Sequence, residues 1–166
     1  MKKLFILISL VILPFFYGYS QNRVVMKDSL ESRVMMNDSL VNVYFAEFIR
    51  KTFDRGVDVQ DKLYSKVKYI LIVPEDQDDI NGLAEYVPSN KPPLKSGIKL
   101  SPKLKIDRLI LKINLYRELL HVIGVPYDQG SVIMCRNKKY GFSYAIFDNV
   151  DVMDDEINKA LSILQK

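Results

Sequence analysis

The chain has 166 residues, 24 Lys and Arg against 20 Asp and Glu, and only one His and one Cys. These counts exclude an internal disulfide framework and a zinc site built from three His or from Cys pairs. With 48% hydrophobic and 27% charged residues, the composition is that of a globular protein, and the length suits one domain.

The first twenty residues have the pattern of a secretory signal peptide. Lys2 and Lys3 precede an almost unbroken apolar run over residues 4–16, and Gly18 and Ser20 are small residues suited to a signal-peptidase site. The apolar run is too short for a comfortable transmembrane helix. A core helix is the alternative, but the run has no polar face to turn toward solvent. The sequence therefore predicts a signal peptide over residues 1–20, cleaved near Ser20.

Cleavage at this point would place the protein outside the cytoplasm, in the periplasm or the extracellular space, with no membrane attachment. It would also remove both lysines and lower the net charge from +4 to +2. So small an excess of positive charge predicts no nucleic-acid partner.

Two similar decapeptides follow the predicted cleavage site. Residues 23–32 and 33–42 match at six of ten positions, which indicates a small tandem duplication. Two copies of this length cannot build a solenoid. We predict a leader over residues 21–39, which includes most of the duplication, and one domain over residues 40–166.

The first half of this domain predicts one helix and one buried strand. Apolar residues at helical spacing predict a helix over residues 40–54, with Asp38 and Ser39 as N-cap residues and Gly56 as its C-terminal stop. The centre of residues 66–74 is rich in β-branched and apolar residues, which predicts a strand buried on both faces. The acidic segment that follows lacks the ligand spacing of a calcium-binding EF-hand and is interpreted as a solvated loop.

The second half predicts two short strands and two helices. The strands are expected over residues 83–87 and 97–100, separated by a proline-rich connector. A helix over residues 107–123 follows, with an apolar stripe that includes Ile106, and Gly124 ends it. A C-terminal helix is expected to begin at residues 154–156, where acidic side chains would favour a helix N-terminus.

The only His lies near the end of the second predicted helix, in the pattern R-E-x-x-H-x-x-G-x-x-Y, and a Met follows seven residues later. This pattern resembles that of the metzincin group of zinc metalloproteases, H-E-x-x-H-x-x-G-x-x-H followed by a Met-containing turn. In that motif two His on one helix face bind zinc, and the Glu activates the metal-bound water. A third His completes the site after the Gly turn. The positions correspond as follows: Arg117 to the first His, Glu118 to the general base, His121 to the second His, Gly124 to the Gly, Tyr127 to the third His and Met134 to the Met turn.

The resemblance implies an α+β, zincin-like fold: a mixed sheet, an active-site helix, a Met turn and a C-terminal helix. It also implies that two of the three zinc ligands are replaced. Arg117 carries only donors and a permanent charge, so it cannot bind zinc and would repel it. We expect Arg117 to stand in the metal's place and to pair with Glu118 or Asp128. Tyr127 would fill the volume of the third ligand and offer its hydroxyl as a hydrogen-bond partner.

Three functions stay open on the sequence. The first is a catalytically inactive protease homologue, without zinc, that binds a peptide or protein partner in the ancestral cleft. The second is an active metallopeptidase with a non-standard zinc site at His121, completed by Asp128 and Cys135. The third is a small exported α+β interaction module unrelated to proteases. A Cys135–His121 catalytic dyad is disfavoured because Cys135 follows an apolar run typical of a buried segment.

Overall fold

The computed structural model describes residues 34–80, 82–89, 95–127, 131–134 and 150–165. Within these residues the chain forms a four-stranded mixed sheet and four α-helices, which confirms the predicted α+β class. The predicted signal peptide, the first decapeptide, Asp128 and Cys135 lie outside them. The strands are β1 (Met35–Met36), β2 (Tyr69–Ile72), β3 (Ala84–Val87) and β4 (Gly97–Leu100), and the helices are α1 (Ser39–Asp54), α2 (Gln60–Lys66), α3 (Arg108–Val122) and α4 (Val150–Leu161).

The sheet has the strand order β1-β2-β4-β3. Strands β1, β2 and β4 are parallel, and β3 pairs antiparallel with β4, so β3 lies at one edge. Ile70 and Ile72 of the central strand β2 are buried, whereas Tyr69 and Leu71 on its other face are only half-buried. The prediction of a strand buried on both faces was therefore wrong, because only one face of β2 points fully into the core.

Helix α1 agrees with its prediction at both ends. The Asp38 carboxylate accepts hydrogen bonds from the N–H groups of Leu40 and Val41, and Gly56 follows the helix with a φ of 76°. The left-handed conformation of Gly56 allows the chain to leave the helix without steric strain. The side chains that face the core recur at the helical spacing from which the helix was predicted: Val41, Phe45, Phe48, Ile49 and Thr52.

Helix α3 begins and ends where the sequence predicts, but its buried surface is wider than one stripe. Asp107 caps it, and Gly124 follows it with a φ of 107°. Ile106 is 90% exposed, so its assignment to the inward stripe was wrong. Helix α3 packs against α1 and β3, which surround it with protein on more than one side. For this reason it also buries two polar residues, Asn114 and Glu118.

Two helices depart from the predictions. Helix α2 is seven residues long and buries only Leu63, so no apolar stripe marks it in the sequence. Its Lys62 and Lys66 ammonium groups donate to backbone carbonyls at the end of α3. Helix α4 begins at Val150, four residues before the predicted start. Residues 154–156 therefore lie inside that helix and cannot serve its N-terminus.

The helices and the sheet enclose one hydrophobic core, to which all four helices and the central strands contribute. The parallel pairing of β2 and β4 brings Tyr69 beside Gly97. A Cβ atom at Gly97 would lie 2.5 Å from both the ring and the carbonyl oxygen of Tyr69. Only glycine permits this approach. None of the helices within the described ranges has the length and apolar character needed to span a bilayer.

Candidate functional site

Helix α3 and the segment that follows it bring the predicted site residues together. Glu118 is 3% exposed, so its carboxylate needs hydrogen-bond donors inside the protein. Its Oε2 atom accepts from the Tyr127 hydroxyl at 2.9 Å and from the backbone N–H of Tyr86 in β3 at 3.2 Å. Glu118 thus joins three elements: the helix, the edge strand and the segment after the helix.

Tyr127 reaches Glu118 because the chain reverses direction at the end of α3. The left-handed Gly124 permits the turn, and the N–H of Val125 donates back to the carbonyl of Leu120 at 3.0 Å. The Tyr127 ring then stacks on the His121 imidazole, with 4.1 Å between centroids and 22° between planes. The expectation that Tyr127 offers its hydroxyl as a hydrogen-bond partner is confirmed by its bond to Glu118.

Arg117 lies on the same side of the helix as His121 and covers the Tyr127 ring. Its guanidinium carbon is 5.2 Å from the ring centroid, within the range of a cation–π interaction. The ion pairs among the described residues do not include Arg117, so the expected pairing with Glu118 is not formed. Adjacent helix residues do not face each other, and the Glu118 carboxylate is turned to Tyr127 and Tyr86 instead. The alternative pairing, with Asp128, falls outside the described residues.

A short 3₁₀ turn, Val132–Met134, packs against α3 and is called here the Met134 turn. Met134 is fully buried in the core. Glu156 of α4 holds this turn in place through hydrogen bonds, and this structural role was not predicted from the sequence. The Oε2 atom of Glu156 accepts from the Ser131 hydroxyl at 3.0 Å and from the N–H of Val132 at 2.7 Å.

Helical spacing provides a signal that could have identified Glu156. It lies three residues after Met153 and four before Ala160, both of which are buried, so the same periodicity places Glu156 on the inward face. Burial raises the pKa of its carboxyl. The Lys159 ammonium at 2.5 Å and the donors of Val132 and Ser131 outweigh this effect and hold the pKa below its ordinary value.

Within the part of the chain that the structure describes, the donor set at the candidate site does not fit zinc. His121 is the one described side chain there with a nitrogen that can ligate a metal, since Arg117 has donors only. The Tyr127 oxygen is hydrogen-bonded to Glu118. Among the described residues no group of three or more His, Cys, Asp or Glu side chains could hold a metal ion. The other ligands considered for His121, Asp128 and Cys135, lie outside these residues.

Comparison of the chain with family models, with curated proteins and with solved structures gave no match. The chemistry of the site therefore has to be inferred from its own geometry. That geometry contains a buried carboxylate that accepts from a phenol and a backbone N–H, a guanidinium near an aromatic ring and an imidazole stacked on the same ring. Both of the described hydrogen bonds to Glu118 fall on its Oε2 atom, so this oxygen is engaged in holding Tyr127 and the backbone of Tyr86.

Proposed function

We propose that this protein is an exported, metzincin-like metalloprotease homologue that is catalytically inactive and binds a peptide or protein partner. The hydrogen bond from the Tyr127 hydroxyl to Glu118 carries the proposal. In the active motif the corresponding Glu must be free to take a proton from a metal-bound water. In this chain the residue at the third ligand position donates to that Glu.

The order of elements supports the same proposal. A central parallel strand, an antiparallel edge strand and a further parallel strand precede α3, and the Met134 turn and α4 follow it. Edge strand β3 adjoins the site through the N–H of Tyr86. An edge strand offers backbone groups to which an extended peptide can add, which supports a peptide or partner as the ligand.

Elemental analysis of the exported protein tests the loss of zinc. The full chain, expressed with its own N-terminal segment and recovered outside the cytoplasm, should have Gln21 as its first residue by mass spectrometry. We expect zinc far below one ion per chain and no peptidase activity that a chelator abolishes. Zinc near one ion per chain that disappears in His121→Ala would contradict the proposal and favour an active metallopeptidase.

A restoration experiment tests the family assignment separately from the loss of zinc. The double variant Arg117→His with Tyr127→His supplies the two missing His, so it should bind about one zinc ion per chain with the tetrahedral preference of such sites. The single variant Arg117→His is the matched control and should bind much less. A folded double variant without zinc affinity would favour an interaction module unrelated to proteases.

A further inference from the structure

Arg117 is a partly buried cation with an incomplete set of partners. Its Nε atom is buried and has no hydrogen-bond partner within the described ranges. The side chain as a whole is half-buried. Within the described chain, neither terminal nitrogen of the guanidinium is both buried and without a hydrogen-bond partner. Because the side chain is half-buried, part of it lies at the surface, and the forked end is the part with donors to offer a ligand.

No ion pair among the described residues neutralises this charge. The Glu118 carboxylate is engaged by Tyr127 and by the N–H of Tyr86. Tyr127 turns its hydroxyl to Glu118 and its ring face to Arg117, so the phenol separates the two charged groups. The face of an aromatic ring attracts a guanidinium, but it does not accept conventional hydrogen bonds from the N–H groups of that guanidinium.

A carboxylate is the anion that best matches the open end of this guanidinium. Its two oxygens accept two parallel N–H bonds from one Arg, and the pair is stronger than one between neutral groups. The cation–π contact with Tyr127 holds the guanidinium in place, which reduces the entropy lost when a ligand binds. We infer that Arg117 anchors a carboxylate-binding site, and that the partner of this protein presents a carboxylate to it.

This inference rests on the proposed peptide-binding function and specifies the chemistry of its ligand. The carboxylate could be the C-terminus of a peptide or the side chain of an Asp or Glu. Both sources offer the same two oxygens to Arg117, and a set of matched peptides distinguishes them.

The experiment uses the full exported chain labelled with ¹⁵N and follows the Arg117 Nε–H resonance by NMR. The probes are acetate, N-acetylated tetra-alanine with a free C-terminus, the same peptide with a C-terminal amide, and an amidated version with one internal Asp. The Arg117 signal is assigned by its loss in Arg117→Lys. We expect at least one carboxylate peptide to shift this resonance and to bind about tenfold more tightly than the neutral amide.

Two variants make the result specific to Arg117. Arg117→Gln should abolish the preference for a carboxylate, while Arg117→Lys should retain part of it, because Lys keeps the charge but loses the fork. Arg108→Gln, an exposed Arg at the start of the same helix, should leave binding unchanged. Circular dichroism tests whether each variant is folded. If Arg117→Gln is not folded, Arg117→Lys alone tests the role of Arg117.

Tight binding of the C-terminal probe alone assigns the site to peptide termini, and tight binding of the Asp probe alone assigns it to acidic side chains. Equal affinity for the neutral amide, or no shift of Arg117 with any probe, would overturn the inference. If the chain contains no zinc and binds none of the carboxylate probes, this inference is overturned while the proposed inactive homologue stands. A zinc-binding chain would instead overturn the proposed function itself.

Discussion

Two buried glutamates, Glu118 and Glu156, lie in different regions of the molecule and accept similar sets of hydrogen bonds. Glu118 is 3% exposed and Glu156 is 5% exposed. Each carboxylate joins a helix to a neighbouring segment by accepting from one hydroxyl and one backbone N–H: Tyr127 and Tyr86 for Glu118, Ser131 and Val132 for Glu156. Glu156 has in addition the ammonium of Lys159.

Under the proposed function, Glu118 would be a former catalytic position that now has a structural role. Glu156 fastens the Met134 turn to α4, and nothing in its position points to catalysis. Glu118 stands where the protease motif has its general base, yet its hydrogen bonds follow the pattern of Glu156. In the proposed homologue, Tyr127 takes the place of a His and gives Glu118 a hydrogen-bond donor. The predictions below test whether the two carboxylates are equivalent.

The largest effect is expected from Glu156→Ala. This change removes the acceptor that Glu156 offers to the buried Ser131 hydroxyl and to the part-buried Val132 N–H, and it also removes buried side-chain volume. Together these losses should lower the free energy of unfolding by about 3 kcal/mol. Urea denaturation measures the change. Asp155→Asn, at the exposed neighbouring position, is the control and should change stability by less than about 0.5 kcal/mol.

Tyr127→Phe should have the next largest effect. The substitution removes only the hydroxyl that donates to Glu118 and keeps the ring that stacks on His121. Loss of a hydrogen bond to a buried charged group should lower the free energy of unfolding by about 2 kcal/mol. Tyr64→Phe is the control, because the half-buried Tyr64 hydroxyl has no hydrogen-bond partner among the described residues. Equal effects of the two variants would show that Glu118, unlike Glu156, gains nothing from its hydroxyl donor.

Most elements of the fold could be predicted from the sequence because they follow local rules. Asp38 and Asp107 mark helix starts, Gly56 and Gly124 mark helix ends, and turn residues bound strands β3 and β4. Strand β1 lies within the predicted leader, where no strand was expected. Helix α2 could not be predicted, because a helix of seven residues with one buried side chain has no periodicity. Its position depends on contacts with the end of α3, which lies about 60 residues away in the chain.

The sequence predicted which residues come together at the candidate site, but only part of the hydrogen bonds and ion pairs among them. The motif placed Arg117, Glu118, His121 and Tyr127 in one group, and the hydroxyl of Tyr127 was expected to donate. The partner of Arg117 was not found correctly, because proximity in sequence suggested Glu118, while helix geometry points the two side chains apart. The role of Tyr86 could not be predicted, since a backbone N–H carries no sequence signal.

Acid should destabilise the protein in part through Glu156. Its pKa is held below the ordinary value of 4.5, so the folded state favours the charged form. The resulting stability is fully present above about pH 4.5 and is lost as the pH falls through the lowered pKa of the folded state. Stability curves for the wild type and Glu156→Gln should therefore converge as the pH falls, with a slope difference below about 1.4 kcal/mol per pH unit. Parallel curves at all pH values would mean that Glu156 does not contribute as a charged group.

The smallest effect is expected from Lys159→Gln, which removes the ammonium that distinguishes Glu156 from Glu118 in this comparison. The side chain of Lys159 is 60% exposed, so water screens its attraction to the carboxylate even at 2.5 Å. Denaturation in low salt should show a loss far smaller than that of Glu156→Ala, and 1 M salt should remove most of it. A loss as large as that of Glu156→Ala would mean that the ion pair, and not the neutral donors, holds the Met134 turn. A small loss would mean that Glu156 is held in place chiefly by the Ser131 hydroxyl and the Val132 N–H.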